Sequence, residues 1–425
     1  MKTYKNRICD KLLALELQGA GAVVIEGAKW CGKTTTAEQA AKSAIYIDEP
    51  GKLEMNVLLS TTKPDRLLDG ETPRLIDEWQ LAPGLWDVIR YRADHSGFGG
   101  FILTGSSVPP DTKEIRHSGA GRFSWIRMRP MSLWESGESS GDVSLLGLFN
   151  GEDFSGATAQ KPDLEEMAFL LCRGGWPAAC DLKGEVALNR AFSYVDAVVK
   201  SDITRVDGVR RDETRARRLM RSYARLQGTQ STASVIRADL AENEPRAFSE
   251  ETVCSYVNAL KKIFVIEDMA AWCPNLRTKA VIRTSDTRYF TDPSVAAASL
   301  GVGPEDLMND IKTLGLLFEA MAVRDLRVYA QALNGEVSHY LDASGLECDA
   351  VVHLRNGCYG LVEIKLGGKD LIEKGARTLC KVSERIDTVR MKEPSFKMIL
   401  TAAGDYAYRR PEDGVFVCPL SALRP

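Results

Sequence analysis

The run Gly27-Ala28-Lys29-Trp30-Cys31-Gly32-Lys33-Thr34 satisfies the pattern G-x-x-x-x-G-K-[ST] at every position. Before it, Ala22-Val23-Val24-Ile25-Glu26 has the apolar character of a buried strand. After it, Thr35-Thr36-Ala37-Glu38-Gln39-Ala40-Ala41-Lys42 has helix-forming composition. Strand, glycine-bounded loop and helix is the setting this motif needs. The glycines let main-chain N–H groups close around a phosphate chain, and the helix N-terminus adds partial positive charge. The motif assigns Gly27, Ala28, Lys29, Trp30, Cys31, Gly32, Lys33, Thr34 and Thr35 to nucleotide contact. Lys33 reaches the terminal phosphates and the Thr34 hydroxyl ligates Mg2+, so ATP and Mg2+ are the implied cofactors. A chance turn is the alternative, and the flanking pattern argues against it.

A chain of 425 residues is long enough for about two to four domains. Its 44% hydrophobic and 27% charged content is that of an ordinary globular protein. With 55 basic against 58 acidic residues the net charge is −3. That excludes a strongly cationic nucleic-acid binder but not a local basic groove. Met1 to Asp10 is basic without a following signal-peptide core, and no apolar run approaches the ~20 residues of a membrane span. The expectation is a cytoplasmic protein without membrane contact. The ten cysteines are dispersed with no C-x-x-C, and the four histidines (His95, His117, His339, His353) have no zinc-ligand spacing. Reduced, mostly buried thiols are expected. Cys31 is the exception: inside the phosphate loop, beside cationic groups, it is expected to ionise readily and to react with alkylating agents.

A helix is expected within residues 5–18, ending at Gly19. Ser43-Ala44-Ile45-Tyr46-Ile47-Asp48 reads as a second strand, and Arg74-Leu75-Ile76-Asp77-Glu78-Trp79-Gln80 contains a third. An apolar strand ending in Asp-Glu downstream of a phosphate loop completes a nucleoside triphosphatase site. Asp77 holds Mg2+ directly or through water, and Glu78 polarises the attacking water. Phe101-Ile102-Leu103-Thr104-Gly105-Ser106-Ser107 is another strand, and ligands of open parallel sheets lie at strand carboxyl ends. Thr104 therefore either senses the terminal phosphate or closes the turn before Gly105. Ser124-Trp125-Ile126-Arg127-Met128 is a fifth strand. Arg122, just before it, is either a finger for a neighbouring subunit in a homo-oligomer or a surface arginine.

The phosphate loop, Leu75 to Gln80, Ile102 to Ser106 and Ser118-Gly119-Ala120-Gly121-Arg122 together resemble a bacterial family of AAA-type ATPases fused to a C-terminal region of unknown function. Arg129-Pro130-Met131-Ser132-Leu133-Trp134-Glu135 and Gly174-Gly175-Trp176-Pro177 share the resemblance, which runs the length of the chain. It implies an additional-strand ATPase fold with an acidic residue on the strand next to that of the phosphate loop. It implies no substrate.

Residues 135–163, rich in Gly, Ser, Glu and Asp, read as a loop closing the ATPase domain. Helices are expected over Ala191 to Val206, Ser231 to Ala241 and Ser249 to Lys262. An arginine run (Arg205, Arg210, Arg211, Arg215, Arg217, Arg218, Arg221, Arg225) is interleaved with Asp207, Asp212 and Glu213. It is a solvated, ion-paired helix face, a phosphate-backbone contact or a nucleotide-sensing lid. Ile263 to Asp268 and Lys279 to Arg283 read as a β-ribbon. Helices followed by a ribbon are consistent with a winged helix presenting Glu250 to Lys262, or with a plain packing module.

From Ile311 the pattern becomes helix (Thr313 to Val328), three strands (Val337 to Leu341, Cys348 to Leu354, Tyr359 to Leu366), helix (Asp370 to Arg385) and strand (Phe396 to Thr401). This order resembles the PD-(D/E)xK nuclease core. Period two puts Glu363 and Lys365 on one strand face. The resemblance implies that Asp349 and Glu363 share Mg2+, that Lys365 orients or deprotonates a water, that Glu319 is an auxiliary acid and that His339 and Tyr340 line the cleft. A solvent-facing Glu–Lys pair is the alternative.

The sequence thus predicts an α/β chain in three parts. Residues 1–160 form a P-loop, AAA-type parallel-sheet domain. Residues 161–305 form a helical, winged-helix-like middle, and residues 306–425 an α/β restriction-nuclease-like domain. The expected activity is ATP hydrolysis coupled to action on DNA or RNA. The alternative is an ATP-switched binder of nucleic acid or protein that does not cut.

Overall fold

The structure is a computed structural model that describes residues 4–109, 119–160, 162–242, 248–274, 285–388 and 391–425. The chain divides into two compact units. Met1–Pro130, Val198–Asp212 and Val257–Val265 form the first; Met131–Ala197, Glu213–Tyr256 and Ile266–Pro425 form the second.

The first unit is built on five strands: β1 Ala22–Glu26, β2 Ser43–Tyr46, β3 Arg74–Asp77, β4 Phe101–Gly105 and β5 Phe123–Arg127. Their spatial order is β2-β3-β4-β1-β5, and every neighbouring pair is parallel. β3 and β4 are buried at every residue, as inner strands of a parallel sheet should be. An aromatic cluster fills one face: Trp86 stacks on Phe123 with centroids 4.1 Å apart and lies 4.8 Å from Trp79. The strand bearing Asp77 is not the neighbour of the phosphate-loop strand, contrary to the expectation. The mainly apolar β4 takes the slot between them, where burial on both sides suits it, and Thr104 pairs with Ile25 on one side and Asp77 on the other.

In the second unit the helices Leu164–Arg173, Gly184–Ala197, Glu213–Arg225 and Pro293–Leu300 pack together. The helix expected to reach Val206 stops at Ala197 and continues as a π-helical turn, Val198–Asp202, before Ile203–Arg205. Residues 135–163 are not a plain loop. They contain β6 Val143–Ser144 and the helix Leu145–Phe149. The ribbon expected at Ile263 to Asp268 is also absent: no strand forms there, and only isolated bridges join Ile266 to Phe290 and Met269 to Thr287. Its second half, Lys279 to Arg283, lies outside the described residues.

The helix Ile311–Ala332 precedes β7 Gly335–Leu341, β8 Glu347–Leu354 and β9 Tyr359–Lys365, an antiparallel meander. The helix Lys369–Arg385 then leads to β10 Phe396–Thr401, parallel to β9. β11 Tyr408–Arg409 and β12 Phe416–Pro419 extend the sheet to the order β11-β12-β10-β9-β8-β7, and β13 Leu423–Arg424 pairs with β6.

Buried charge ties this unit together. Arg324 is 2% exposed and lies between Asp292 and Asp325, with contacts of 2.9 and 2.7 Å. Asp292 also accepts from the Gly175 N–H, and Asp325 from the Leu133 N–H. Three otherwise separate segments therefore meet at one guanidinium. Arg324→Ala should lower unfolding stability by about 3–5 kcal/mol, because it strands two buried carboxylates; denaturant unfolding monitored by circular dichroism measures this.

Candidate functional site

The phosphate loop closes because two glycines permit it. A Cβ on Gly27 would sit 2.0 Å from the Met128 carbonyl oxygen, and Gly32 enters the helix Lys33–Ala40 with φ of 103°. Trp30, at φ 66°, is half exposed at the tip. Side chains brace the loop from several directions. The Arg7 guanidinium donates to the Cys31 and Arg129 carbonyls, both at 2.8 Å. The Lys29 ammonium meets Asp202 of the π-helical turn at 2.6 Å. Lys33, only 5% exposed, turns back to the Ala28 carbonyl at 2.9 Å.

The parallel sheet aligns the carboxyl ends of β1, β3 and β4, and three predicted residues meet there. Thr34 donates to Asp77 Oδ1 at 2.8 Å, and Thr104 donates to the same oxygen. Thr104 thus takes part in the Asp77 hydrogen-bond cluster. Burial raises the Asp77 carboxyl above its ordinary range, against the two hydroxyl donors, which lower it. The hydroxyl and carboxylate oxygens at this point suit a hard cation such as Mg2+. Glu78 follows in a left-handed conformation, φ 53°, and accepts from Ser106 Oγ at 2.8 Å and from Gln80 Nε2. Sequence reasoning missed the roles of Ser106, Gln80 and Asp202. Gln80 lies inside the Leu75–Gln80 run and was the most accessible of the three.

Arg122 is not brought to this site in its own chain. β5 runs parallel to β1, with Phe123 opposite Ala22, so Arg122 lies at the other end of the sheet from the phosphate loop. It pairs there with Asp94 at 2.6 Å. Ser118, expected beside it, lies outside the described residues. Cys31 is also corrected: it is fully buried, with Sγ 3.5 Å from the Met128 carbonyl, and has no exposed face for a reagent.

A second cluster lies in the other unit. Lys365 Nζ bridges Asp349 at 2.8 Å and Glu363 at 2.6 Å, and Asp349 also accepts from the Ile364 N–H. Burial, then the nearby Asp349 charge, push Glu363 up to about 8, and the same two causes take Glu319 to about 8. Burial works against the Lys365 ammonium, but Asp349 and Glu363 outweigh it and hold its pKa above the ordinary value. Glu319 accepts from the Tyr289 hydroxyl. Tyr289 and the neighbouring Glu347, raised by burial and by Asp349, were not predicted. His339 and Tyr340 do not line a cleft. His339 is buried against the Ser285 carbonyl, and Tyr340 is in the apolar core. Among the described residues no three His, Cys, Asp or Glu side chains converge as metal ligands would. Here the Lys365 ammonium lies between the two carboxylates.

The arginine run is largely ion-paired or stacked. Arg211 meets Asp207 and Arg217 meets Asp196, both at 2.7 Å; Arg225 meets Asp239 at 2.5 Å, and Arg215 lies over Phe248.

Comparison with known proteins agrees with the nucleotide-site geometry. Residues 20–136 match the profile of the AAA domain. Residues 164–306 and 314–423 match two domains of unknown function, DUF8612 and DUF4143. No curated protein matches. Among solved structures, a Walker-type ATPase of Pyrococcus abyssi is similar at 16% identity and TM-score 0.41, over 68% of this chain and 94% of that one. The Orc1 protein of Aeropyrum pernix, in complex with DNA, is similar at 13% identity and TM-score 0.26, over 73% and 95%. In residues 20–136 the chain is similar to the AAA-type P-loop ATPases. More particularly, that AAA segment is followed by two segments of unassigned function.

Two outcomes are expected. Asp202→Asn removes the charge that holds Lys29 and should tighten ATP binding several-fold, read by calorimetry. Cys31 should alkylate far more slowly in the native protein than exposed Cys254 and Cys273, read by mass spectrometry.

Proposed function

We propose that the protein binds ATP on Gly27 to Thr35 and hydrolyses it, and that hydrolysis drives a nuclease-like C-terminal domain acting on DNA or RNA. The observation that carries the ATPase half is the meeting of Thr34, Asp77 and Thr104 at one carboxylate oxygen. In this reading Lys33 leaves the Ala28 carbonyl for the terminal phosphates, and Thr104 orients Asp77. Thr34 and Asp77 would hold Mg2+, which supplies charge neutralisation along the triphosphate. Glu78 takes the proton of the attacking water. Arg122, distant in its own chain, acts only if a second copy presents it, so the proposal includes a homo-oligomer.

The nuclease half is supported by the helix, meander, helix, strand order and by the gathering of Asp349, Glu363 and Lys365, with Glu319 behind them. Lys365 already occupies the space between Asp349 and Glu363. That same bridge favours the second reading, an ATP-switched binder that does not cleave. The functional segments we propose are 1–160, 161–305 and 306–425, supported by the ends of the matched profiles at 136, 306 and 314. A cytoplasmic setting is supported by ten free thiols. No helix among the described residues is long and apolar enough to cross a membrane.

Lys33→Ala should abolish calorimetric ATP binding. Glu78→Gln should bind ATP but turn it over about 10²–10⁴ times more slowly in a phosphate-release assay. For the second half, the protein is incubated with ATP, Mg2+ or Mn2+ and single- and double-stranded DNA and RNA. Cleavage lost in Asp349→Ala and Lys365→Ala supports the nuclease. Nucleic-acid binding without cutting in any lane supports the switched binder.

A further inference from the structure

Gln80 lies two residues past Glu78, at the end of the run that carries the acidic pair, and the ATPase chemistry above gives it no task. It is 3% exposed, and Ser106 is 4% exposed. Both donate to the same atom, Glu78 Oε2: Ser106 from the carboxyl end of β4, Gln80 from the short 3-10 turn Trp79–Leu81. The left-handed backbone at Glu78 lets the chain double back so that a side chain two positions later reaches the carboxylate. Gly105 leaves the room. A Cβ there would lie 3.0 Å from Gln80 Oε1 and 3.1 Å from Trp79 Nε1. Gln80 Oε1 is buried and has no hydrogen-bond partner among the described residues. The side chain is therefore held for its donor end, at the cost of an unmet acceptor.

We propose that Gln80 and Ser106 are positioning residues for hydrolysis: by fixing Glu78 Oε2 from two sides they aim Oε1 at the attacking water. The inference rests on Glu78 being the group that polarises that water. In the step it serves, the water oxygen bonds to the γ-phosphorus and the bond from that phosphorus to the β–γ bridging oxygen breaks. The electron pair leaves on ADP, and the water's proton passes to Oε1 and on to inorganic phosphate. A carboxylate gripped at both oxygens would have fewer lone pairs left for the water, and one gripped at neither would swing freely. Two donors on one oxygen avoid both faults. A misaligned catalytic group costs about 10²-fold in rate even when binding is intact.

The test measures steady-state ATP turnover and calorimetric ATP affinity for the full chain and its variants. Gln80→Ala and Ser106→Ala should each lower kcat by about ten- to hundredfold with KM and ATP affinity unchanged. Gln80→Glu keeps the size but not the donor and should fall as far as Gln80→Ala. Ser106→Thr keeps the hydroxyl and should recover most of the rate. The Gln80→Ala/Ser106→Ala double variant should approach Glu78→Gln. If the double variant turns over at or above the wild-type rate while Glu78→Gln is inactive, the positioning role is overturned. It is equally overturned if Gln80→Glu works as well as wild type, or if KM rises as much as kcat falls. Glu78→Gln with wild-type turnover would instead overturn the role of Glu78 itself, a separate failure.

Discussion

Oδ1 of Asp77 is the atom on which the first unit's chemistry is assembled. It accepts a hydroxyl from Thr34, at the start of the phosphate-loop helix, and another from Thr104, on the strand inserted between β1 and β3. A parallel sheet can bring these together because its strands end on the same side. β4 supplies the link: it pairs with β1 and β3 at once, so Thr104 has Ile25 and Asp77 as its flanking partners. A change in strand order would leave the loop closed on its glycines but with no acid opposite Thr34.

The loop itself is held by groups far apart in sequence. Arg7 comes from before β1, Asp202 from the π-helical turn, and the Met128 carbonyl from the end of β5. Each is a polar group satisfied at a buried or half-buried position, as such groups must be. Together they explain why Cys31, chemically exposed in the linear motif, is sealed: the close approach of Gly27 to Met128 buries the thiol beneath the loop.

The second unit uses charge in a different way. Arg324 satisfies two buried aspartates and, through them, two backbone N–H groups, so the Gly174-Gly175-Trp176-Pro177 run is a structural joint. Gly175 donates to Asp292 and accepts from Met131, and a Cβ there would lie 2.1 Å from the Met131 carbonyl. The cluster at Lys365 is poised differently. Its carboxylates outnumber its one cation, and burial, then the Asp349 charge, hold Glu319 and Glu363 well above the ordinary carboxylate range. Such a site gains most from any added positive charge.

The linear chain determined whatever follows from local pattern. The glycine spacing set the phosphate loop, and the apolar runs set β1, β3 and β4. Alternation and turns set the β7 to β9 meander, and period two put Glu363 and Lys365 on one face. It could not determine which strand lies beside which, because edge and central apolar strands read alike. The place of β4 and the remoteness of Arg122 were therefore decided by sheet order and strand direction. Burial of Cys31 and His339 was decided by neighbours more than 50 residues away. Long-range polar partners such as Asp202 for Lys29, Tyr289 for Glu319 and Ser106 for Glu78 leave no local signal. A hydrogen bond needs only that two atoms meet at about 3 Å, and only the folded chain brings them there.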